Sequence, residues 1–462
     1  MKKYLPKLIS YVLIYLLIFP QVVLADYVEY STTKNSPVLV PTQSGENIRS
    51  NVNNKPSGIM KFDKDTSTVY SLNKETGKIE ITPLPMSTSK FGYGKNTVSE
   101  SLDIKKNVLS YIWRTVNEDF KFGELTSMDI SEALGIIALT VSSEDYDKSG
   151  LAIFTDYRGK IIKVVSTGVQ PESIVFSPNA KSVIISNSGR ATEGTGANDP
   201  EGSVTVISLN GYAGNIKDSD VIEIGFKHLD SKKAELVNSG IFMKRGRLPS
   251  RGLEPGEVAV EENSRYAYIS LPENNAIAKI DLRKMIIESV SAVKTNTGVQ
   301  NEKSFVQPVG IKAVNHNGKV YLLTANIDSS MTIIKDGKEG LETVFDSTSS
   351  LTKVLKDIYP NGLPDTIANN PENKASLKNY LELGHLRSRT YAFLTLGFGG
   401  IAVFDVTDPQ NTFFESFIGS DSETPLSKPI FINGQFDLNN QPILLVPGVN
   451  NKDSEVFELK FN

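Results

Sequence analysis

The apolar positions of this chain fall in short runs of 4–7 residues, each bounded by Gly, Asn, Asp or Pro. Runs of that length, rich in β-branched and aromatic residues, predict strands rather than helices. The runs come in threes. The clearest set starts at Pro255-Gly256-Glu257-Val258-Ala259-Val260, continues through Arg265–Leu271 and ends with Asn275–Leu282. A second opens at Pro171 and uses Pro171–Asn179, Ser182–Asn187 and Ser203–Ile207. A third opens at Pro308 and uses Pro308–Val314, Lys319–Asn326 and Met331–Ile334. Looser copies occupy Gly58–Ile81, Ile136–Val165, Thr390–Val406 and Pro442–Leu459. Seven successive meanders predict an all-β fold, a β-propeller of seven blades. Radial repetition protects sheet edges, and the chain order shows no Greek-key return of the kind a two-sheet sandwich array needs.

Spacing adds detail. The prolines at 171, 255 and 308 are 84 and 53 residues apart, while a blade takes about 40–50 residues. The excess predicts partly helical loop insertions at about 103–124, 210–251 and 345–384, within one propeller domain spanning 56–462. Leu351–Ile358 is a helix-like piece of the last, and the first holds the single tryptophan, Trp113. Insertions on one face of a rigid scaffold are where function tends to sit.

The N-terminus breaks the strand pattern. Lys2, Lys3 and Lys7 precede an apolar run from Leu8 to Phe19, then Pro20, then Val23-Leu24-Ala25 before Asp26. A basic segment, an apolar core and small or aliphatic residues at the boundary predict a secretory signal peptide over 1–25. The alternative is an uncleaved anchor, but Ser10, Pro20 and Gln21 interrupt a run that must reach about 20 apolar residues to span. Residues 26–55 read as a polar leader. No later stretch is long and apolar enough to span a membrane. The expected location is outside the cytoplasm, periplasmic or extracellular.

The chain contains no cysteine, so neither a disulfide nor a lipoprotein anchor is available, and a chain this long buries enough surface without staples. Residues 26–462 carry 46 basic and 53 acidic side chains, a net charge near −7. An acidic balance with no concentrated basic patch argues against nucleic acid as a partner.

The catalytic inventory is thin. His228, His316 and His385 lack metal-ligand spacing, and neither HExxH nor Gly-x-Ser-x-Gly occurs. The loop Gly194–Gly202 lacks the Lys-Ser/Thr ending and following helix of a phosphate loop. Its Asp199 and Glu201, with Asp145 and Asp147, offer oxygens of the kind calcium or another divalent metal takes, although solvated turn acids have the same composition. No cofactor is expected beyond that. Glu172 and Glu257 stand at corresponding places beside the prolines that open their blades. They either converge on the axial channel or cap the turns where the blades begin.

Four of these phrases also resemble the choice-of-anchor I family, secreted or surface β-propellers found mainly in bacteria, to which an animal mesenchyme-specific cell-surface glycoprotein is related. They are Gly168–Asn187 with Asp199–Ile207, Leu253–Leu282, Val309–Asn326, and Arg389–Leu394 with Gly399–Pro409. They lie in the family's order and cover roughly Ala138 to the C-terminus. The resemblance makes Glu172, Asn187, Glu254, Glu257, Asn326 and Asp328 the candidate ligand-binding residues. It also shows departures: Ile327-Asp328-Ser329 replaces the family's Glu-Gly-Asp, Ser188 replaces an acid, and Pro447–Asn451 matches the last family motif only loosely. A divergent member is implied, one that has lost most of the acids suited to a metal.

Three functional readings follow. The preferred one is an exported, non-enzymatic propeller, a binding platform for a protein, glycan or envelope component. The second is a metal-assisted phosphoesterase-like hydrolase, which the resemblance to phosphatase-like relatives implies. The third is a structural envelope protein acting through lateral assembly.

Overall fold

A computed structural model of the chain describes residues 27–31, 37–41, 59–84, 100–115, 120–191, 199–294, 306–360, 379–397, 399–420, 426–434, 441–447 and 455–461. The expected signal peptide lies outside the described residues. The strands form seven antiparallel sheets, six of four strands and one of five. The first strand of each meander is innermost: Ile59–Asp63, Phe122–Ser131, Pro171–Phe176, Val258–Val260, Pro308–His316, Tyr380–Leu386 and Ile430–Ile432. Each inner strand lies beside the next, and the last lies beside the first, so the ring is closed. This is a seven-bladed propeller, with blades 1 to 7 in chain order.

Packing explains why the middle strands read as apolar runs. Between every pair of neighbouring blades sits one apolar cluster, seven in all. In Ser182–Asn187, Val183 and Ile185 face blade 2 while Ile184 faces blade 4. A strand buried on both faces is apolar at successive positions, whereas outer strands such as Val221–Gly225 and Gly340–Asp346 are half exposed and read as polar. The aspartate ending the third strand of three blades has a local cause. Asp156, Asp281 and Asp405 each accept turn N–H groups from two or more residues ahead, at 2.9–3.0 Å.

Two segments of residues 26–55 pair with the propeller. Strand β1 (Tyr27–Ser31) adds a fifth strand to the outer edge of blade 6, pairing Tyr27 with Ser420 and Ser31 with Ser416. Strand β2 (Pro37–Pro41) completes blade 7 by pairing with Glu455–Phe461, Pro37 opposite Phe461. The expected insertions also shift. Helix α1 (Ile104–Thr115) buries Ile104, Val108 and Ile112 between blades 1 and 2 and leaves Trp113 exposed. The second insertion includes the outer strand Val221–Gly225 and then a cap of short helical turns over Lys227–Gly252. The third includes a helix at Thr348–Ile358 and runs into the inner strand of blade 6, with 361–378 outside the described residues.

Candidate functional site

In an antiparallel meander the start of the first strand, the end of the second and the end of the fourth share one face. All ten residues singled out in the sequence lie on that face. Glu172 and Glu257 stand at the starts of inner strands, and Asn187 and Asn326 end second strands. Asp145, Asp147, Asp199, Glu201 and Asp328 occupy the loops between second and third strands, and Glu254 closes the cap that leads into blade 4. They do not form one site; they divide into an axial set, a cluster between blades 3 and 4, and single turns.

The axial set arises from an edge problem. Inner strands have neighbours on one side only, and their free N–H groups need acceptors. Side chains of the preceding blade supply them. Ser127 Oγ accepts from Ile174 N at 3.2 Å, Asp129 Oδ2 from Phe176 N at 2.8 Å, Ser173 Oγ from Val258 N at 3.4 Å, and Glu257 Oε2 from Ile311 N at 3.2 Å. Cations neutralise the acids: Lys61 lies 2.8 Å from Asp129, and Lys312 lies 2.8 Å from Glu382. Lys428 of blade 7 donates to Glu257 of blade 4, an ion pair that reaches across the axis. Burial pushes the Glu257 carboxyl up, but Lys428, Lys312 and the Ile311 N–H outweigh it and hold it below the ordinary carboxylate range. Burial likewise opposes the Lys428 charge, and Glu257 raises it above the usual lysine range. The Tyr380 hydroxyl is pushed up to about 12 by burial and then by Glu257.

The second cluster centres on Glu254, whose side chain is 1% exposed. Its carboxylate accepts from Arg190 Nε at 3.1 Å and Arg247 Nη1 at 3.0 Å, with Lys244 Nζ at 3.6 Å. Asn274 holds the backbone in place, its Oδ1 accepting from Glu254 N at 3.1 Å. Outer acids share the cations, Glu172 lying 3.6 Å from Arg190, Asp199 3.4 Å from Arg247 and Glu273 3.6 Å from Lys244. Burial works against the Arg190 charge, yet Glu172 and Glu254 raise its pKa further. Gln170 ties the neighbouring loops together, donating to the carbonyls of Tyr146 at 3.1 Å and Arg190 at 3.0 Å.

The remaining residues are engaged locally. Asn187 is fully buried and donates to Ser203 and Thr205 of its own blade at 3.1 and 2.9 Å. Asn326 repeats this in blade 5 with Ser330 and Thr332 at 2.9 and 2.8 Å. Asp328 is exposed and accepts from Ser330 N and Oγ at 3.0 and 2.6 Å. Asp145 pairs with Lys121 at 3.0 Å, while Asp147 and Glu201 are exposed on their loops. Among the described residues no three His, Asp or Glu side chains gather in a metal-binding group.

Sequence reasoning found Glu172, Glu254 and Glu257 but missed every cation that meets them. Lys61, Lys312 and Glu382 carried a usable signal, a charge in the middle of an otherwise apolar inner-strand run. Arg190, Lys244 and Arg247 carried none, because their common partner is distant in sequence. One premise is corrected. The cap over residues 226–252 holds seven lysines and arginines against two acids, a concentrated basic patch that the whole-chain charge of −4 conceals.

The sequence matches the choice-of-anchor I domain over residues 59–301, just over half of the chain. That match includes blades 1 to 4 and ends before the phrases at Val309–Asn326 and Arg389–Pro409. Among curated proteins no match is found. Among solved structures, the chain is similar to the β-propeller domain of Cps50 (Swd1) from Myceliophteria thermophila, with a TM-score of 0.48 and 7% identity over 88% of this chain and 98% of that one. The architecture here rests on the strand pairing and the seven interblade clusters.

Proposed function

The chain belongs to the choice-of-anchor I family, and from that premise we propose that it is an exported, non-enzymatic propeller that presents one face to an envelope component. The observation that carries this reading is that the cap over residues 226–252 enters blade 4 on the same face of a closed ring as the loops between second and third strands. The acids on that face are already held: Glu254 by three cations, Glu257 by Lys428 and a backbone N–H, and Asp199 by Arg247. Such pairing fits side chains that fix loops in a set arrangement, which is what a docking surface requires. A propeller in itself does not imply function, so the reading rests on this face rather than on the fold.

The test is capture from an envelope extract by residues 26–462 immobilised through the C-terminus. Reproducible recovery of a protein or glycan, lost when the loops of this face are exchanged, supports the reading. No partner across independent extracts, together with phosphate release from an ester panel in the presence of divalent metal, overturns it.

A further inference from the structure

The cap over residues 226–252 carries a positive balance on a chain whose total charge is negative. Of its seven cations, Lys244 and Arg247 are committed to Glu254, Glu273 and Asp199. Lys227, Lys232, Lys233, Arg245 and Arg251 make no ion pair among the described residues, and all but Lys233 are exposed. Asp230, one of the two acids, is taken up by Ser250, accepting from its N at 2.8 Å and its Oγ at 3.0 Å.

Large apolar side chains stand among these cations. Val237, Phe242 and Leu248 are 46%, 44% and 48% exposed, on a face whose buried side packs Leu229, Ile241 and Leu253 into the cluster between blades 3 and 4. Their backbone is fixed. Phe242 N donates to Asn274 O at 2.9 Å, Asn274 Nδ2 returns to Phe242 O at 2.9 Å, and Gly252 N closes onto Leu248 O at 2.8 Å. The presentation of Phe242 just before Lys244-Arg245, and of Leu248 between them and Arg251, is therefore built into the cap.

We infer that this cap is a docking surface for an anionic lipid bilayer. Free cations on a protein with an acidic balance supply charge complementarity to anionic headgroups, at about fivefold in partitioning for each Lys or Arg near the surface. A soluble polyanion such as DNA or polyphosphate would use the same cations but gain nothing from Val237, Phe242 and Leu248. An interface takes both, the apolar tips entering the headgroup boundary while the cations stay at its surface. The inference rests on the reading of the protein as an exported binding platform and names the partner chemistry of one part of its face.

Cosedimentation of residues 26–462 with vesicles tests it, using phosphatidylcholine alone or mixed with phosphatidylglycerol, at low salt and at about 0.5 M salt. The expected result is binding to the mixed vesicles only, weakened by salt. Arg245→Glu with Arg251→Glu lowers partitioning at least tenfold, and Phe242→Ala with Leu248→Ala lowers it about tenfold, both with wild-type thermal unfolding. Equal binding to both vesicles, or none, overturns the inference. So does binding to DNA or polyphosphate that survives the Phe242 and Leu248 changes and competes fully with the vesicles. If vesicle binding fails while capture from envelope extract succeeds, the docking surface is refuted and the platform reading stands.

Discussion

Glu254 is the residue on which the cap and blade 3 meet, because Arg190 comes from one and Lys244 and Arg247 from the other. Replacing one member of a buried ion pair leaves its partners uncompensated, at about 3–5 kcal/mol when both are sealed from water. Here Arg190 and Lys244 are about half exposed and can be rehydrated. Glu254→Gln is therefore expected to lose about 2 kcal/mol in chemical denaturation, below the fully buried figure. Glu257 and Lys428 make a pH-dependent prediction. With its carboxyl held below the ordinary 4.5, Glu257 contributes stability above that pH, which is lost as pH falls through the depressed value. Held above the ordinary 10.5, Lys428 contributes below that pH and loses its share as pH rises through the raised value. The gap in unfolding midpoint between wild type and Glu257→Gln should be full between 4.5 and 10.5 and close in stronger acid. A gap independent of pH would show that the carboxylate acts by shape rather than charge. At this scale the sequence disclosed the acids, since Glu172 and Glu257 repeat beside blade-opening prolines. Their partners stayed hidden because Lys428 lies 171 residues from Glu257 and on the far side of the ring.

Elements were legible in proportion to how deeply they are buried. Strands such as Lys319–Asn326, apolar through its middle, announce themselves. Outer strands such as Glu100–Asp103, exposed or half exposed along their length, carry no pattern that sets them apart from a loop. Strands β1 and β2 were hidden for another reason: their partners are Phe413–Ser420 and Glu455–Phe461, at the other end of the chain. The two make different contributions. Removing β1 trims a fifth strand and leaves a four-stranded blade 6, whereas removing both also deprives blade 7 of its fourth strand. Starting the chain at residue 32 should lower the thermal midpoint with one cooperative transition retained. Starting it at residue 42 should give early proteolysis in blade 7 or loss of the cooperative transition. Equal behaviour of the two would mean that β2 does not close the ring.

At the scale of the whole molecule, stability is distributed around a circle. Each of the seven apolar clusters joins two blades, so no blade has a core of its own. Blade number was readable from the repeats, but the charge of the face was not. A whole-chain total averages the cap with its acidic surroundings, and only local counting over a compact segment separates them.

The pairing of Pro37–Pro41 with Glu455–Phe461 also sets an order of events in time. Strand β2 comes before the meanders of the other six blades in the chain, and its partner comes after them. Blade 7 must wait, unpaired along one edge, until both of these segments have been made. Bringing such distant segments together carries a large loop-closure cost and slows folding. On the proposed reading of an exported chain, that delay is useful. An unfinished circle can still be drawn through a narrow pore, and a finished one cannot.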